Sequence, residues 1–363
     1  MMKKITKLTV THTTGKYSVS LGKNILSNTH YLRSLFSGSQ VLIVTDPNVA
    51  PQYLSTLTAA LHDFQCDTLI LPSGEDCKTF STFKTIIDFL ATHHHHRDTT
   101  LIALGGGAIN DVTGFAAACY HRGVAWIAIP TTLLAQVDAS IGGKTAINHF
   151  CGKNLMGAFY PPKTVIIDID TLNSLPNREF CSGVSEIIKT ALIKDADFFS
   201  WLEKNIVALL AHDTRTIHTA ILRACKIKRD IVMEDEKENH IRMHLNFGHT
   251  FAHAIEKTIG FGTWLHGEAV AFGIVSASFL SHQLNLLSES EYQRIRNMII
   301  QHDLLKKIPD IFSADSLTIA MQNDKKVRAN QLRFILLTSI GSAIIKDDIS
   351  VEMIARAWKA PVN

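Results

Sequence analysis

The sequence predicts an α/β N-terminal domain, with a parallel, Rossmann-like sheet and an N-terminal hairpin, followed by a mainly α-helical C-terminal domain. Three features carry this reading. Short apolar runs alternate with helical patterns up to about residue 170; the runs are continuous rather than in–out alternating; and after Leu175-Pro176 a period-3.6 spacing takes over. Residues 5–21 alternate and are broken at Thr14-Gly15, a hairpin pattern. VLIVTD (41–46) is then a strand, Val49–Phe64 a helix, TLILPSG (68–74) a strand and Lys78–Thr92 a helix. TLIALGGG (100–107) is a strand running into glycines, Asp111 to Tyr120 is helical, and AWIAIPTT (125–132) and TVIIDID (164–170) are strands. Residues 182–303 read as helices almost throughout, and LRFILL (332–337) is a late strand before a final helix near 350–359. A boundary near 172–178 divides the chain into domains 1–175 and 176–363, and ligands of such a sheet bind beyond the carboxyl ends of its strands.

The 363 residues are 46% hydrophobic and 19% charged, which excludes disorder and low-complexity architecture. A net charge of +3, with no run of five basic residues, does not suit a nucleic-acid surface. The N-terminus lacks the apolar core of a signal peptide, and Ala269–Ser288, the least charged stretch, contains Ser281, His282, Gln283 and Asn285 and reads as a buried helix. A cytoplasmic protein with no membrane partner is expected. The six scattered cysteines form no CxxC pair and read as reduced, mostly buried thiols. The His93–His96 tetrad reads as a solvated helix end rather than a metal site.

Four constellations carry chemistry. Gly105-Gly106-Gly107-Ala-Ile-Asn110-Asp111 follows a strand and opens a helix, so its backbone and free N–H groups can meet a pyrophosphate. Asp46, after the first strand of the series, sits where a carboxylate can bind a ribose hydroxyl, although Asp there can equally cap a helix. Asp138-Ala-Ser-Ile-Gly-Gly-Lys144-Thr is no P-loop, because the leading Gly is replaced by Asp138. What remains is a glycine turn presenting Lys144, with Gly152-Lys153-Asn154 presenting a second lysine, and together they suggest an anionic substrate. Asn246-Phe-Gly-His249-Thr-Phe-Ala-His253 is read as one helix with two histidines on one face; Thr250 excludes HExxH. His266-Gly-Glu268 opens the next helix, and Glu186 lies on an otherwise apolar one; a carboxylate with two or three histidines makes an open catalytic zinc site. Lys189, Lys228, Arg242 and the Lys325–Lys326 pair are the basic set, with Arg242 suited to bidentate carboxylate or phosphate binding.

The run LGGGAINDVTGFAAACYHRG…IPTTLLAQVDASIGGKTAINH…GKNLMGAFYPP…SLPNREF…GVSEIIK…LNFGHTFAHAIE…WLHGEAVAFG…DKK resembles the 3-dehydroquinate synthase family of sugar phosphate cyclases, over roughly residues 40–340. The resemblance implies an NAD-binding domain followed by a helical metal- and substrate-binding domain. It implies zinc (or cobalt) held by Glu186, His249 and His266, with His253 either supporting the ligands from behind or relaying a proton, and not a ligand. Implied NAD contacts are Asp46, Glu75, Lys78, Gly107, Asp111, Thr131, Thr132, Lys144, Lys153 and the segment bearing Thr171 and Ser174. Implied substrate contacts are Asp138, Lys144, Asn154, Lys189, Lys228, Arg242, Asn246, His253 and a lysine of the 325–326 pair, here Lys326. Arg122 looks like the arginine that reaches a neighbouring subunit's site, which implies a homodimer.

The implied reaction turns 3-deoxy-D-arabino-heptulosonate 7-phosphate into 3-dehydroquinate and phosphate by transient oxidation with NAD, phosphate elimination, re-reduction, ring opening and intramolecular aldol closure. Four positions depart from the family pattern. Asn110 replaces a Gly and is tolerable even if that backbone needs positive φ; Thr190-Ala191 replaces Tyr-Gly; Asn330 replaces a turn Gly. The alternatives are a metal-dependent NAD polyol dehydrogenase, another sugar phosphate cyclase, and a catalytically silent binding subunit.

Overall fold

The computed structural model describes residues 5–260, 262–306, 308, 313–325 and 332–361. Strands β1 (Thr6–His12) and β2 (Gly15–Gly22) form the expected hairpin. The short helix α1 (Thr29–Arg33) leads into β3 (Gln40–Thr45), α2 (Ala50–Ala60), β4 (Gln65–Ile70), α3 (Phe80–Thr92), β5 (Thr100–Gly105), α4 (Gly107–Cys119) and β6 (Ala125–Pro130). Then come β7 (Lys144–His149), β8 (Gly152–Phe159) and β9 (Thr164–Asp168). The helices α5 (Asn177–Lys194), α6 (Ala196–Leu210), α7 (Thr214–Glu234), α8 (His249–Ile259), α9 (His266–Gln283), α10 (Glu289–Ile300) and α11 (Ala314–Lys325) follow. Strands β10 (Phe334–Ser339) and β11 (Ser342–Lys346) and helix α12 (Val351–Lys359) close the described chain.

The chain forms two compact units. The first runs to Phe180 and takes back Lys228–Glu236; the second holds Cys181–Ile227 and the chain from Lys237 onward. In the first unit the described strands order as β1-β2-β9-β6-β5-β3-β4, with β1–β2 antiparallel and the remaining pairs parallel. Every residue of β3, β5 and β9 is buried, as a sheet covered on both faces requires. On one face Ile43, Ile102, Ile129 and Ile166 pack against Leu32 of α1 and Leu57 of α2. Each such side chain contributes about 1.5–3 kcal/mol through burial. The chain runs from β3 outward to β4, returns to β5 on the other side, and continues to β6. The strand order therefore reverses between β3 and β5, and their carboxyl ends, at Asp46 and Gly105, flank that switch point.

In the second unit α8 and α9 cross closely. Gly248 has φ +79°, and a Cβ on Gly273 would lie 2.0 Å from the Gly248 carbonyl oxygen, so only glycines allow this approach. The β10–β11 hairpin docks through Leu337 N–H to Ser281 Oγ (2.9 Å) and Gly341 N–H to the Leu192 carbonyl (2.7 Å). The expected buried helix is α9, and among the described residues no helix is long and apolar enough to cross a membrane.

Several expectations are corrected. The Lys144 and Lys153-Asn154 segments are not separate loops but the paired strands β7 and β8; the four exposed residues in a row on β8, from Asn154 to Gly157, obscure the strand pattern. LRFILL is one arm of a hairpin whose second arm, Ser342–Lys346, has a single buried residue. The strand read as 68–74 is Gln65–Ile70, and a 3₁₀ turn, Gly74–Cys77, precedes α3. Helix α4 opens at Gly107 rather than near Asp111. Asn110 has no positive φ; it lies inside α4, where its amide donates to the carbonyls of Gly105 (3.3 Å) and Gly106 (3.0 Å).

The helix read over 246–253 begins at His249, because Gly248 adopts a left-handed conformation; Arg242 and Asn246 occupy a separate 3₁₀ turn, Ile241–Asn246. The histidine tetrad is not wholly solvated. His94, at φ +54°, turns the chain so that His95 is buried, with Nδ1 2.8 Å from Thr99 Oγ1. Of the cysteines only Cys77 and Cys225 are buried, and Cys119 and Cys151 are exposed.

Candidate active site and metal centre

Glu186 sits on α5, and its carboxylate is fully buried, yet neither oxygen accepts a hydrogen bond from the described residues. A buried carboxylate without hydrogen bonds is costly unless a cation takes their place. Lys189, one turn on and 1% exposed, contacts Oε2 as an ion pair but lacks hydrogen-bond geometry. His249 is the first residue of α8 and His266 the first of α9; their Nε2 atoms lie 3.9 and 3.7 Å from Glu186 Oε1. The three side chains offer ligand atoms within 4.8 Å of one another. Three such side chains would supply three of the four ligands that a zinc ion takes. One anionic oxygen and two imidazole nitrogens suit zinc or cobalt.

Each imidazole is pre-oriented. His249 Nδ1 is 3.2 Å from the Phe247 carbonyl, which can only accept, so the proton sits on Nδ1 and Nε2 keeps its lone pair. His266 Nδ1 lies 3.3 Å from Glu256 Oε1. Burial, with Lys189 and His266 adding like charge, holds the His249 pKa well below the ordinary histidine value, so the ring is neutral as a ligand must be. Burial also acts to lower the His266 pKa, but the Glu256 hydrogen bond and the charges of Glu256 and Glu186 outweigh it and raise the value. His253, on α8, lies outside the ligand group; its ring centroid is 5.5 Å from that of His249 and 6.4 Å from that of His266. Glu268 does not join the ligands either: its carboxylate accepts the Leu265 N–H (2.8 Å) and so caps the helix that carries His266.

The cations of this unit lie deep. Arg242 is 1% exposed, and Asn246, on the same turn, donates to Glu238 Oε1 (2.9 Å). Thr190 and Ala191, beside the metal residues on α5, are buried and leave Glu186 and Lys189 in place. Lys326 and Asn330 lie outside the described residues.

In the first unit the triple-glycine turn joins β5 to the start of α4. None of the three glycines has positive φ; close packing requires them instead. A Cβ on Gly105 would meet Ile109 at 2.8 Å, and one on Gly107 would meet Ala139 at 3.2 Å. Around this turn the structure gathers Glu75, Lys78, Asp111 and Asn154. Lys78 Nζ donates to Asp111 Oδ2 (2.7 Å) and Asn154 Oδ1 (2.5 Å), with Glu75 Oε1 at 3.8 Å. Burial works to lower the Lys78 pKa, but the two carboxylates more than reverse it, so the ammonium stays charged.

Other predicted residues have local partners. Asp46 Oδ1 accepts the N–H groups of Asn48 (2.9 Å) and Val49 (3.3 Å), which fixes the turn ahead of α2 without capping it, since the N-cap is Val49; burial raises the Asp46 pKa. Thr132 Oγ1 accepts the Ala135 N–H (3.2 Å), while Thr131 is buried beside it. Thr171 Oγ1 donates to the Asp168 carbonyl (2.8 Å), and Ser174 Oγ meets Tyr53 OH at 2.5 Å. Asp138 and Lys228 form an ion pair.

Some residues are not brought together. On the β7–β8 ribbon, Lys144 pairs with Phe159, whereas Asn154 N–H bonds Asn148 Oδ1 (2.9 Å), four positions farther along β7. That separates Lys144 from Asn154 by about 13 Å of strand. Exposed Arg122, at φ +66°, lies past the far end of α4, about 20 Å of helix from Gly107.

Sequence reasoning missed three supporting residues. Asn148 donates to Glu75 Oε1 (2.7 Å) while holding Asn154. Tyr17 OH accepts the Gly142 N–H (3.0 Å) and steadies the turn before Lys144. Glu256 falls seven residues after His249, a spacing that the helical period would have exposed. The other two depend on cross-chain contacts that spacing does not reveal.

Comparison with known proteins places the chain among the sugar phosphate cyclases. The chain is similar to 2-epi-5-epi-valiolone synthase from Streptomyces hygroscopicus subsp. jinggangensis 5008, solved with NAD+ and Zn2+ bound; the TM-score is 0.86 at 28% identity over 95% of this chain and 96% of that one. It is likewise similar to 2-deoxy-scyllo-inosose synthase complexed with carbaglucose-6-phosphate, NAD+ and Co2+, with a TM-score of 0.89 at 26% identity over 98% and 99% of the two chains. The family models for the 3-dehydroquinate synthase N-terminal and C-terminal regions match residues 68–182 and 183–327. A 3-dehydroquinate synthase of Coxiella burnetii (strain CbuG_Q212) is 53% identical over 92% of this chain and 93% of its own length. The chain belongs to the 3-dehydroquinate synthase family.

Proposed function

We propose that the chain converts 3-deoxy-D-arabino-heptulosonate 7-phosphate into 3-dehydroquinate and phosphate, a phosphate-eliminating carbon–oxygen lyase reaction of aromatic amino acid biosynthesis, with NAD regenerated in each turnover. Residues 1–175 bind NAD, and residues 176–363 bind metal and substrate. The observation that carries this reading is the open triad of Glu186, His249 and His266 in the same unit as the buried cations Lys189 and Arg242. Two buried cations in the unit that carries the triad suit a phosphorylated sugar acid better than a neutral polyol.

Glu186, His249 and His266 hold the divalent metal, zinc or cobalt. Bound there, the metal would supply Lewis-acid polarisation of a substrate oxygen, and NAD would supply reversible hydride transfer. Arg242 and Lys189 hold anionic oxygens, and Asn246, anchored by Glu238, orients a hydroxyl. His253 lies beside both ligand imidazoles and moves a proton between substrate and solvent. Lys144, Asn154, Asp138, Lys228 and Lys326 complete the substrate contacts; the Asp138–Lys228 ion pair fixes both side chains. Gly105, Gly106 and Gly107 bring backbone N–H groups to the pyrophosphate. Asp46, Glu75, Lys78, Asp111, Thr131, Thr132, Lys144, Lys153, Thr171 and Ser174 line the rest of the cofactor site. Arg122, a helix length from its own glycine turn, serves a neighbouring subunit's site in a homodimer. The enzyme works in the cytoplasm, without membrane or nucleic-acid partners.

The test is anaerobic incubation with the heptulosonate phosphate and substoichiometric NAD, following phosphate and ultraviolet absorbance together. Many phosphates released per NAD, with no accumulating NADH, is the expected result. One NADH per substrate consumed would instead establish a dehydrogenase. Arg242→Ala should raise KM for the heptulosonate at least tenfold, as loss of a charge-assisted contact of about 1.5–3 kcal/mol requires, and leave NAD affinity nearly unchanged. A large loss of NAD binding would remove Arg242 from the substrate site.

A further inference from the structure

One buried carboxylate near the metal residues takes no part in the proposed reaction itself. Glu256 is 6% exposed, on α8, and its Oε1 lies 3.3 Å from His266 Nδ1. His249, His253 and Glu256 are spaced four and three residues apart, so all three lie on one face of α8. We infer that Glu256 is a positioning residue for the metal centre: it accepts the Nδ1–H of His266 and thereby fixes the tautomer and ring plane that aim Nε2 at the ion shared with Glu186.

The geometry supports this in two ways. Nδ1 and Nε2 leave the imidazole in diverging directions, so a carboxylate on Nδ1 stands away from an ion on Nε2 and acts through the ring rather than as a fourth ligand. The two ligand imidazoles also have unequal need of support. The His249 side chain is 11% exposed, and a neutral carbonyl, that of Phe247, suffices to orient it. The His266 side chain is 33% exposed and has more freedom to rotate; the anionic acceptor is found on this ring. A carboxylate on the distal nitrogen also makes the imidazole a stronger donor. Helix α8 thus supplies one ligand and the group that orients the other, which ties the set of α8 against α9 to metal affinity.

This inference rests on the metal reading of Glu186, His249 and His266, and the experiment separates the two. Zinc affinity is measured by chelator competition for wild type, Glu256→Gln and Glu256→Ala, together with the visible absorption of the Co2+-loaded proteins and the melting temperatures of the metal-free ones. Wild type should bind one equivalent; failure there would remove the metal reading itself. Glu256→Ala should weaken zinc binding by about 10- to 100-fold and alter the cobalt spectrum. Glu256→Gln keeps an acceptor but no charge, and should fall between the two; if the alanine variant does not fold, the glutamine variant carries the test. Wild-type zinc affinity and an unchanged cobalt spectrum in the variants that fold, even with lower melting temperatures, would show that Glu256 is only a packing tie and overturn the inference.

Discussion

Glu186→Ala will lose its metal and with it essentially all phosphate release. Glu186 is the one anion among the three proposed ligands, and a metal's charge stabilisation is worth several kcal/mol, so a fall of a thousandfold or more in turnover is expected. The same change has a cost in stability. Lys189 is 1% exposed and pairs with this carboxylate, and removing one partner of a buried pair costs about 3–5 kcal/mol. Glu186→Gln keeps the shape, so it should fold better than the alanine variant while still losing metal. Metal content by mass spectrometry, phosphate release and thermal melting separate these effects. Undiminished metal retention and turnover in both variants, in metal-depleted buffer, would exclude Glu186 as a ligand.

Gly267→Ala will strike the same centre without touching a ligand. A Cβ at Gly267 would lie 2.0 Å from the Ser182 carbonyl oxygen and 2.5 and 2.6 Å from that residue's C and Cα, all backbone atoms of α5. Alanine favours a helix by about 1 kcal/mol over glycine, but overpacking costs about 1–3 kcal/mol, and a backbone clash this short lies at or beyond the upper end. The hydrogen bond from Gly267 N–H to Ser182 Oγ (2.9 Å) is lost as well, about 1 kcal/mol more. Net destabilisation of about 3 kcal/mol follows. Ser182 lies one turn before Glu186, and Gly267 directly after His266, so separating α5 from α9 pulls two ligands apart. Zinc should therefore raise the melting temperature of this variant less than that of wild type. An unchanged melting temperature, with and without zinc, would mean that the helices do not need the glycine.

What was legible in the chain was what depends on near neighbours. Continuous apolar runs such as VLIV and TVII mark strands buried on both faces, and β3 and β9 are fully buried. The triple glycine after an apolar strand marks the strand-to-helix turn, and Thr14-Gly15 marks the first hairpin. The β7–β8 ribbon escaped because four consecutive residues of β8 are exposed, which leaves no alternation to read. The true start of α8 escaped because it depends on the left-handed φ of Gly248, and His95 because its burial depends on a left-handed residue before it.

Residue order therefore determined by itself the element types outside the β7–β8 ribbon and β11, the sheet class, the candidate residues and, through its resemblance to a known family, the proposal of Glu186, His249 and His266 rather than His253 as ligands. Tertiary structure alone decided that these three, up to 80 residues apart, converge within 4.8 Å, and that Glu256 stands behind one of them. The physical reason is that periodicity is set by bonds and dihedrals between near neighbours. Convergence is set by how closely helices approach, and here that rests on contacts such as Gly273 against Gly248 and Gly267 against Ser182, where a single methyl group would hold the helices apart.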